Sequence, residues 1–199
     1  MSDSAIIVAL VPPKEVMDLA IKINSEARSK GFHSDPLGVD DFIPHITLFM
    51  GVVKNDNLEN VASVLDKLLL KKHPFKLEIT GIKESEYVTD ENSFLEIKNT
   101  DDLQKLHNEM CENLSRFLEP LASENCLFGD KEISDNTKKW FENYVLMSAY
   151  EKFNPHINLR CRNPRSPRFS AKFNASQIVL FHAGNHATCR KMIWGRVLK

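Results

Sequence analysis

Apolar residues recur along the chain with two different periods, one typical of strands and one typical of helices. The run AIIVALV, Ala5 to Val11, is apolar throughout and has the length of a buried strand. The segment 13–31 that follows repeats apolar residues every three or four positions, starts near Pro13 and ends at Gly31. This pattern predicts an amphipathic helix. Its apolar positions are Val16, Leu19, Ala20, Ile23 and Ala27.

The remainder of the first half repeats this order of elements. A polar loop at 33–41 leads into the strand FIPHITLFMG, which contains His45. A second helix is predicted from about Asn57, and the run FKLEITGI, Phe75 to Ile82, predicts a further strand.

The second half begins again with a strand, SFLEIKN at 93–99. A helix with a clear apolar face follows and is predicted to stop at Pro120. A further helical stretch around Trp140 precedes the segment NPHINLRCR at 154–162, and the runs QIVLFHAG and KMIWGRVL predict two closing strands joined by a tight turn. The apolar helix face comprises Leu103, Leu106, Met110, Leu114 and Phe117.

Both halves therefore contain a strand, a helix and then a strand with a Pro-His pair. The length of 199 residues suits one domain or two compact lobes that share a cleft. We expect a single domain, 1–199, built from two lobes at about 1–90 and 91–199.

Charge and cysteine content narrow the classes of function. The 26 basic and 27 acidic residues nearly cancel, so any contact with nucleic acid must be local rather than spread over the surface. The four cysteines are dispersed without a CxxC pair, the first residues lack a basic signal-peptide region, and no apolar run has the length of a membrane span. We expect a reduced, cytoplasmic, monomeric protein that does not span a membrane.

The pentapeptides PHITL at 44–48 and PHINL at 155–159 are identical at four of five positions. Because side chains alternate across a strand, each segment places a histidine and the residue two positions later on one face. The residues predicted to share such a face are His45, Thr47 and Phe49 in the first strand, and His156, Asn158 and Arg160 in the second.

A single histidine in an apolar strand is more often structural than catalytic, but two in matched frames favour a paired site. Phosphodiester transfer at a ribose uses such a pair, because one neutral imidazole removes a proton and one protonated imidazole supplies one. Thr47 and Asn158 would then donate hydrogen bonds to the phosphate oxygens. This chemistry requires neither a metal nor another cofactor.

These two motifs resemble those of the 2H phosphoesterase superfamily, which includes LigT-like 2'-5' RNA ligases and cyclic phosphodiesterases. The resemblance implies an α+β, bilobal fold of two pseudo-symmetric β-α-β lobes with antiparallel sheets lining a central cleft. It implies metal-independent action on 2',3'-cyclic phosphates or 2'-5' bonds of RNA ends or small nucleotides. His45 and His156 would be the acid-base pair and Thr47 a phosphate donor.

Asn158 departs from the serine or threonine usual in that family. An amide still donates to a phosphate oxygen but is longer and planar, so it would hold the phosphate differently. A binding module with weak or no turnover therefore stays open as the alternative, as do the direction of reaction, hydrolysis or ligation, and the assignment of acid and base. No obligate protein partner is implied.

Other residues carry weaker signals. Arg160 is predicted to face the phosphate, Phe49 is predicted to stack on a base, and a loop with Arg162, Arg165 and Arg168 either gathers phosphates or is merely solvated. His182 and His186 are four apart, but the Gly-Asn between them favours a turn over a zinc site, and a metal hydrolase would need a third ligand that we do not find near the motifs. His107 lies among apolar helix positions and is expected to be structural, whereas His33 and His73 belong to no pattern.

Overall fold

A computed structural model of the protein describes residues 2–31, 35–85, 92–121, 124–130, 132–162 and 170–199. The described strands and helices are, in chain order, β1 (Asp3–Val11), α1 (Lys14–Ser29), β2 (Ile46–Lys54), α2 (Leu58–Leu69), β3 (Phe75–Glu84), β4 (Ser93–Ile97), α3 (Asp101–Leu114), β5 (Leu118–Glu119), α4 (Asp135–Ser148), β6 (His156–Asn158), β7 (Ala171–Ala175), β8 (Gln177–Gly184) and β9 (Thr188–Val197).

The strands form hydrogen-bonded neighbours in the order β7-β3-β4-β6-β2-β1-β8-β9, with β5 pairing beside β2. Every pairing in this order is antiparallel. The prediction of an antiparallel α+β fold is confirmed. The strand β1 lies near the middle of the sheet, and its residues from Ala5 to Leu10 are fully buried, as the continuous apolar run predicts.

Strands from the two halves of the sequence are interleaved in the sheet. The strand β3 comes from the first half but pairs with β4 and β7 of the second half. Conversely, β8 comes from the second half and pairs with β1. Neighbouring strands of the sheet therefore come from both halves of the sequence, and the division into lobes at about 1–90 and 91–199 stays a prediction.

Two predicted elements end earlier than the sequence indicates. The third helix stops at Leu114 rather than Pro120, because residues 115–117 form a single 3-10 turn and Leu118 then pairs with Val53 of β2. The strand predicted at 154–162 is only His156–Asn158, for a reason given with the site below.

Helices α3 and α4 pack on β2 and so bury its apolar side chains. Side-chain caps support the starts of these two helices: Thr100 accepts a hydrogen bond from the Leu103 N–H, and Ser134 accepts one from the Thr137 N–H. The four cysteines are buried.

None of the helices in the described part of the chain is both long and apolar enough to cross a bilayer.

Candidate active site

The two motif strands, β2 and β6, are neighbours at the centre of the sheet. Ile46 pairs with Ile157, and both side chains are fully buried in the core. The residues on either side of this pair therefore point to the opposite face, where antiparallel geometry sets Thr47 beside His156 and His45 beside Asn158, with Cα atoms about 5 Å apart. The four predicted side chains of the two motifs are brought together, and each is half-buried.

Both histidines are held by the same local hydrogen bond. The Nδ1 atom of His45 lies 2.7 Å from the Ile43 carbonyl oxygen, and that of His156 lies 2.8 Å from the Asn154 carbonyl oxygen. A carbonyl oxygen only accepts, so Nδ1 carries the donated proton in each ring. Each bond spans a proline, whose fixed φ restricts the connecting backbone. Nε2 is therefore the nitrogen that carries the lone pair when either ring is neutral.

The pKa of His45 is lowered from 6.5 to about 4. Burial is the largest cause, because it disfavours the charged imidazolium, and the positive charges of His156 and Arg160 lower the pKa further. The hydrogen bond to the Ile43 carbonyl acts in the opposite direction. His45 is therefore neutral at neutral pH, and its Nε2 presents a lone pair.

The Asn158 side chain is oriented by the backbone that follows it. Its Oδ1 atom accepts a hydrogen bond of 2.7 Å from the Arg160 N–H. A backbone N–H only donates, so the amide oxygen is identified as the atom on that side, and the Nδ2 group is the end that can donate to a ligand. The chain stays beside β4 after Asn158, since the Leu159 N–H donates to the Ser93 carbonyl oxygen and the Ser93 N–H donates to the Cys161 carbonyl oxygen. The regular pairing of β6 ends at Asn158 because Arg160, between these two bonds, interrupts it.

Arg160 does not continue the alternation of the strand, contrary to the basis of its prediction. Its φ is 50°, a left-handed conformation uncommon for a residue with a Cβ. The guanidinium group donates to the Asp35 carboxylate and to the His186 carbonyl oxygen. Its charge still acts on His45, so a phosphate-binding role for Arg160 stays a prediction.

The prediction that Phe49 stacks on a base is wrong. Its side chain is fully buried and packs edge-on against Tyr144 of α4, with ring centroids 6.0 Å apart. The cause is an irregularity in β2: Val8 pairs with Phe49 and Ala9 with Thr47, so Leu48 is an extra, bulged residue. A bulge changes the alternation beyond it, and Phe49 consequently enters the core.

His107 is structural, as predicted, and it connects the two motif segments. Its Nδ1 donates to the carbonyl oxygen of the bulged Leu48 over 2.8 Å, and its Nε2 accepts from the Tyr150 N–H over 3.0 Å. Its ring stacks on Phe153, with centroids 3.9 Å apart and planes 4° from parallel. Tyr150 and Phe153 lie shortly before His156. This fully buried imidazole thus fixes both strands relative to α3.

Phe94 belongs to the site and was missed by the sequence analysis. It pairs with Asn158 across β4 and β6, and its half-buried ring lies 5.0 Å from the His156 ring, tilted by 50°. Glu96 pairs with His156 on the same face and is bound to Lys83 over 2.5 Å. The segment SFLEIK did contain a signal for this position. Phe94 shares a face of the alternating strand with the polar residues Glu96 and Lys98, where an apolar ring is unexpected unless it binds something.

The remaining predicted residues divide into two groups. Arg162 is exposed at the end of its segment, whereas Arg165, Arg168 and His33 lie outside the described residues. His182 belongs to β8 and its Nε2 lies 2.9 Å from the Cys126 carbonyl oxygen, while His186 belongs to the turn before β9. The predicted turn between them is confirmed.

The sequence model of the 2'-5' RNA ligase superfamily matches residues 21–159, a range that includes both histidine motifs. None of the curated protein sequences compared with the chain matches it. The crystal structure of TT0787 from Thermus thermophilus is similar over 98% of this chain and 97% of that chain, with a TM-score of 0.62 and 11% identity. E. coli LigT complexed with 3'-AMP is similar over 100% of this chain and 99% of that chain, with a TM-score of 0.59 and 14% identity.

Proposed function

The chain belongs to the 2'-5' RNA ligase superfamily, and from that premise we propose that it is a metal-independent phosphodiesterase acting on 2',3'-cyclic phosphates or 2'-5' bonds. The observation that carries this proposal is the matched tethering of His45 and His156 through Nδ1. It makes Nε2 the lone-pair nitrogen of each neutral ring, and the two rings lie on one face of adjacent strands, which is the arrangement that paired proton transfer requires.

The lowered pKa of His45 supports the role of general base, because the ring is neutral at neutral pH. For hydrolysis of a 2',3'-cyclic phosphate, Nε2 of His45 takes a proton from water as the water oxygen bonds to phosphorus. Nε2 of protonated His156 gives its proton to the ribose oxygen whose bond to phosphorus breaks. The product is a ribose phosphomonoester, and exchange with solvent restores both imidazoles.

Thr47 and the Nδ2 group of Asn158 would donate to the non-bridging oxygens, where negative charge is carried through the transition state. Phe94, rather than Phe49, would stack on the base, because its ring is partly accessible beside His156. E. coli LigT has been crystallised with 3'-AMP and with ATP, which supports an RNA end or a small nucleotide as the substrate here. The four cysteines are buried and dispersed along the sequence without a CxxC pair, which agrees with a reducing compartment such as the cytoplasm.

A nucleotide-binding module without turnover is the second candidate. Asn158 in place of a hydroxyl residue favours it, as does the bonding of Arg160 to Asp35 rather than to an open position. In that case the purified chain would bind nucleotides equally well with and without its histidines and would release no product.

The test uses purified protein with a 2',3'-cyclic nucleotide and a 2'-5' dinucleotide, with the products separated into 2'- and 3'-phosphates. We expect cleavage that persists in a strong chelator and a loss of about 10²- to 10⁴-fold in kcat for His45→Ala and for His156→Ala. His73→Ala is the matched control, because His73 is exposed and its Nδ1 bonds to the Lys199 carbonyl oxygen, away from the two motifs. Absence of cleavage of both substrates, or full activity of either site variant, would overturn the proposal.

A further inference from the structure

The sheet face that carries His156 continues across β4, β3 and β7. Lys98 follows Glu96 by two positions and is therefore on the same face. Ile79 pairs with Ile97, which places Glu78 directly opposite Lys98, and Glu78 pairs in turn with Lys172. Two positions further along, and so on the same face, Lys76 pairs with Asn174. We call Lys76, Lys98 and Lys172 the lysine surface.

The lysine surface is positively charged and open. All three side chains are exposed, and within the described residues none of them forms an ion pair. Glu78 is the acidic residue among them, so the local charge is positive although the whole chain is nearly neutral. The three lysines line part of an open hollow with a volume of about 430 Å³. Its polar lining consists of Lys76, Glu78, Lys98, Thr100, Lys172 and Asn174.

The lysine surface begins beside the site at Lys98 and extends away from it to Lys76 and Lys172. With strands ~5 Å apart and alternate residues ~7 Å apart, the Cα atom of Lys98 is roughly 8 Å from that of His156, and the Cα atom of Lys172 is roughly 16 Å away. Phe94 lies on the other side of Glu96 along β4. A nucleotide stacked on Phe94 would therefore leave the lysine surface free for the rest of a strand.

We propose that the lysine surface binds the backbone phosphates of an RNA strand that continues beyond the nucleotide at the scissile bond. The preferred substrate is then the end of an oligonucleotide rather than a free mononucleotide. Exposed lysines that follow an open groove are the means by which proteins hold single strands without reading their sequence. This inference rests on the proposed function, because it extends the same site.

The experiment compares kcat/KM for a 2',3'-cyclic mononucleotide with that for a single-stranded RNA of twelve nucleotides ending in a 2',3'-cyclic phosphate. The variant replaces the lysine surface, K76Q/K98Q/K172Q. The matched control, K67Q/K105Q/K139Q, removes the same charge from exposed positions on α2, α3 and α4. We expect the ratio of the two kcat/KM values, oligonucleotide over mononucleotide, to fall about tenfold or more in the first variant and to stay unchanged in the control. The slope of log KM against log salt for the oligonucleotide should become shallower by about two, since each lost phosphate contact contributes ~0.7.

An unchanged ratio in the lysine-surface variant, or an equal fall in the control, would overturn the inference while leaving the proposed function intact. If wild type cleaves neither substrate, the proposed function is wrong. The lysine surface is then tested by fluorescence anisotropy with a fluorescein-labelled RNA of twelve nucleotides. An equal Kd for wild type and the lysine-surface variant would overturn the inference, and weaker binding by that variant alone would support it.

Discussion

The two motif segments hold their histidines identically but differ in everything that follows them. Each imidazole donates Nδ1–H to the carbonyl two residues earlier, across a proline. After His45 the chain continues as a nine-residue central strand with a bulge, whereas after His156 the strand ends within three residues. The tripeptide X-Pro-His therefore orients the imidazole ring in the same way in both segments. The structure packed around each segment determines where the side chains of the following residues point. Two similar sequences need not place equivalent residues beyond the histidine in equivalent roles.

The largest effect that tests this difference is at Phe49 and Phe94. Phe49→Ala should lower the free energy of unfolding by about 3–5 kcal/mol, because it removes a fully buried ring. Phe94→Ala should leave most of the stability and instead raise KM for a nucleotide by about tenfold, because base stacking is lost. Urea denaturation and steady-state kinetics of both variants measure this, and a stability loss at Phe94 as large as that at Phe49 would contradict the assignment.

The contact shared by both segments is tested next, at His107. His107→Leu should lower the free energy of unfolding by about 2–4 kcal/mol, because the Leu48 carbonyl and the Tyr150 N–H both lose their partner in the interior. Chemical denaturation measures the change. His73→Leu provides the control, since that ring is exposed. If the two variants were equally stable, the hydrogen bonds of His107 to Leu48 and Tyr150 would contribute nothing to the stability of the fold.

The second motif has Asn158 where the first has Thr47, and both are proposed to donate to the phosphate of the substrate. Asn158→Asp keeps an acceptor for the Arg160 N–H but replaces the Nδ2 donor by an oxygen that repels phosphate. We expect kcat/KM for a 2',3'-cyclic nucleotide to fall about 100-fold, the size of effect seen when one transition-state donor is removed. Asn158→Thr, which supplies a hydroxyl donor as in Thr47, should stay within about tenfold of wild type. Equal rates for the Asp and Thr variants would show that Nδ2 does not contact the phosphate.

The smallest effect concerns pH and the environment of His45. Its pKa is lowered to about 4, so the base remains neutral and competent as the pH falls from neutrality to well below the ordinary value of 6.5. The acid limb of kcat/KM should therefore have its midpoint near 4, and activity should decrease below it as His45 becomes protonated. Loss at alkaline pH would report deprotonation of the acid partner. An acid limb centred near the ordinary histidine value would show that burial does not shift His45 during catalysis.

The sequence was sufficient to identify the paired histidines, because the matched pentapeptides depend only on local order. The periods of apolar residues, which are also local properties, predicted individual strands and helices, whereas the antiparallel α+β class followed from the resemblance that the two motifs carry. The sequence did not predict that β3 pairs with strands of the second half or that β8 pairs with a strand of the first half. These positions depend on which strands pair rather than on where each strand begins.

The errors at individual residues have the same origin. Phe49 was misplaced because a bulge at Leu48 is stabilised from outside the strand, by His107 of α3. Arg160 was misplaced because its N–H binds the Asn158 side chain and its left-handed backbone interrupts the regular pairing of the strand. Phe94 was missed because its face becomes part of the site only through the pairing of β4 with β6. Each case required a contact that alternation along one segment does not contain.

The pairing of Ile46 with Ile157 has a consequence for biosynthesis. The two halves of the site are far apart in sequence, and β1, which flanks β2, pairs on its other side with β8 near the end of the chain. Such long-range pairing slows folding. During translation the histidine of the first motif would therefore lack its partner until β6 and β8 have left the ribosome, and the paired histidines would meet only when this long-range pairing is complete.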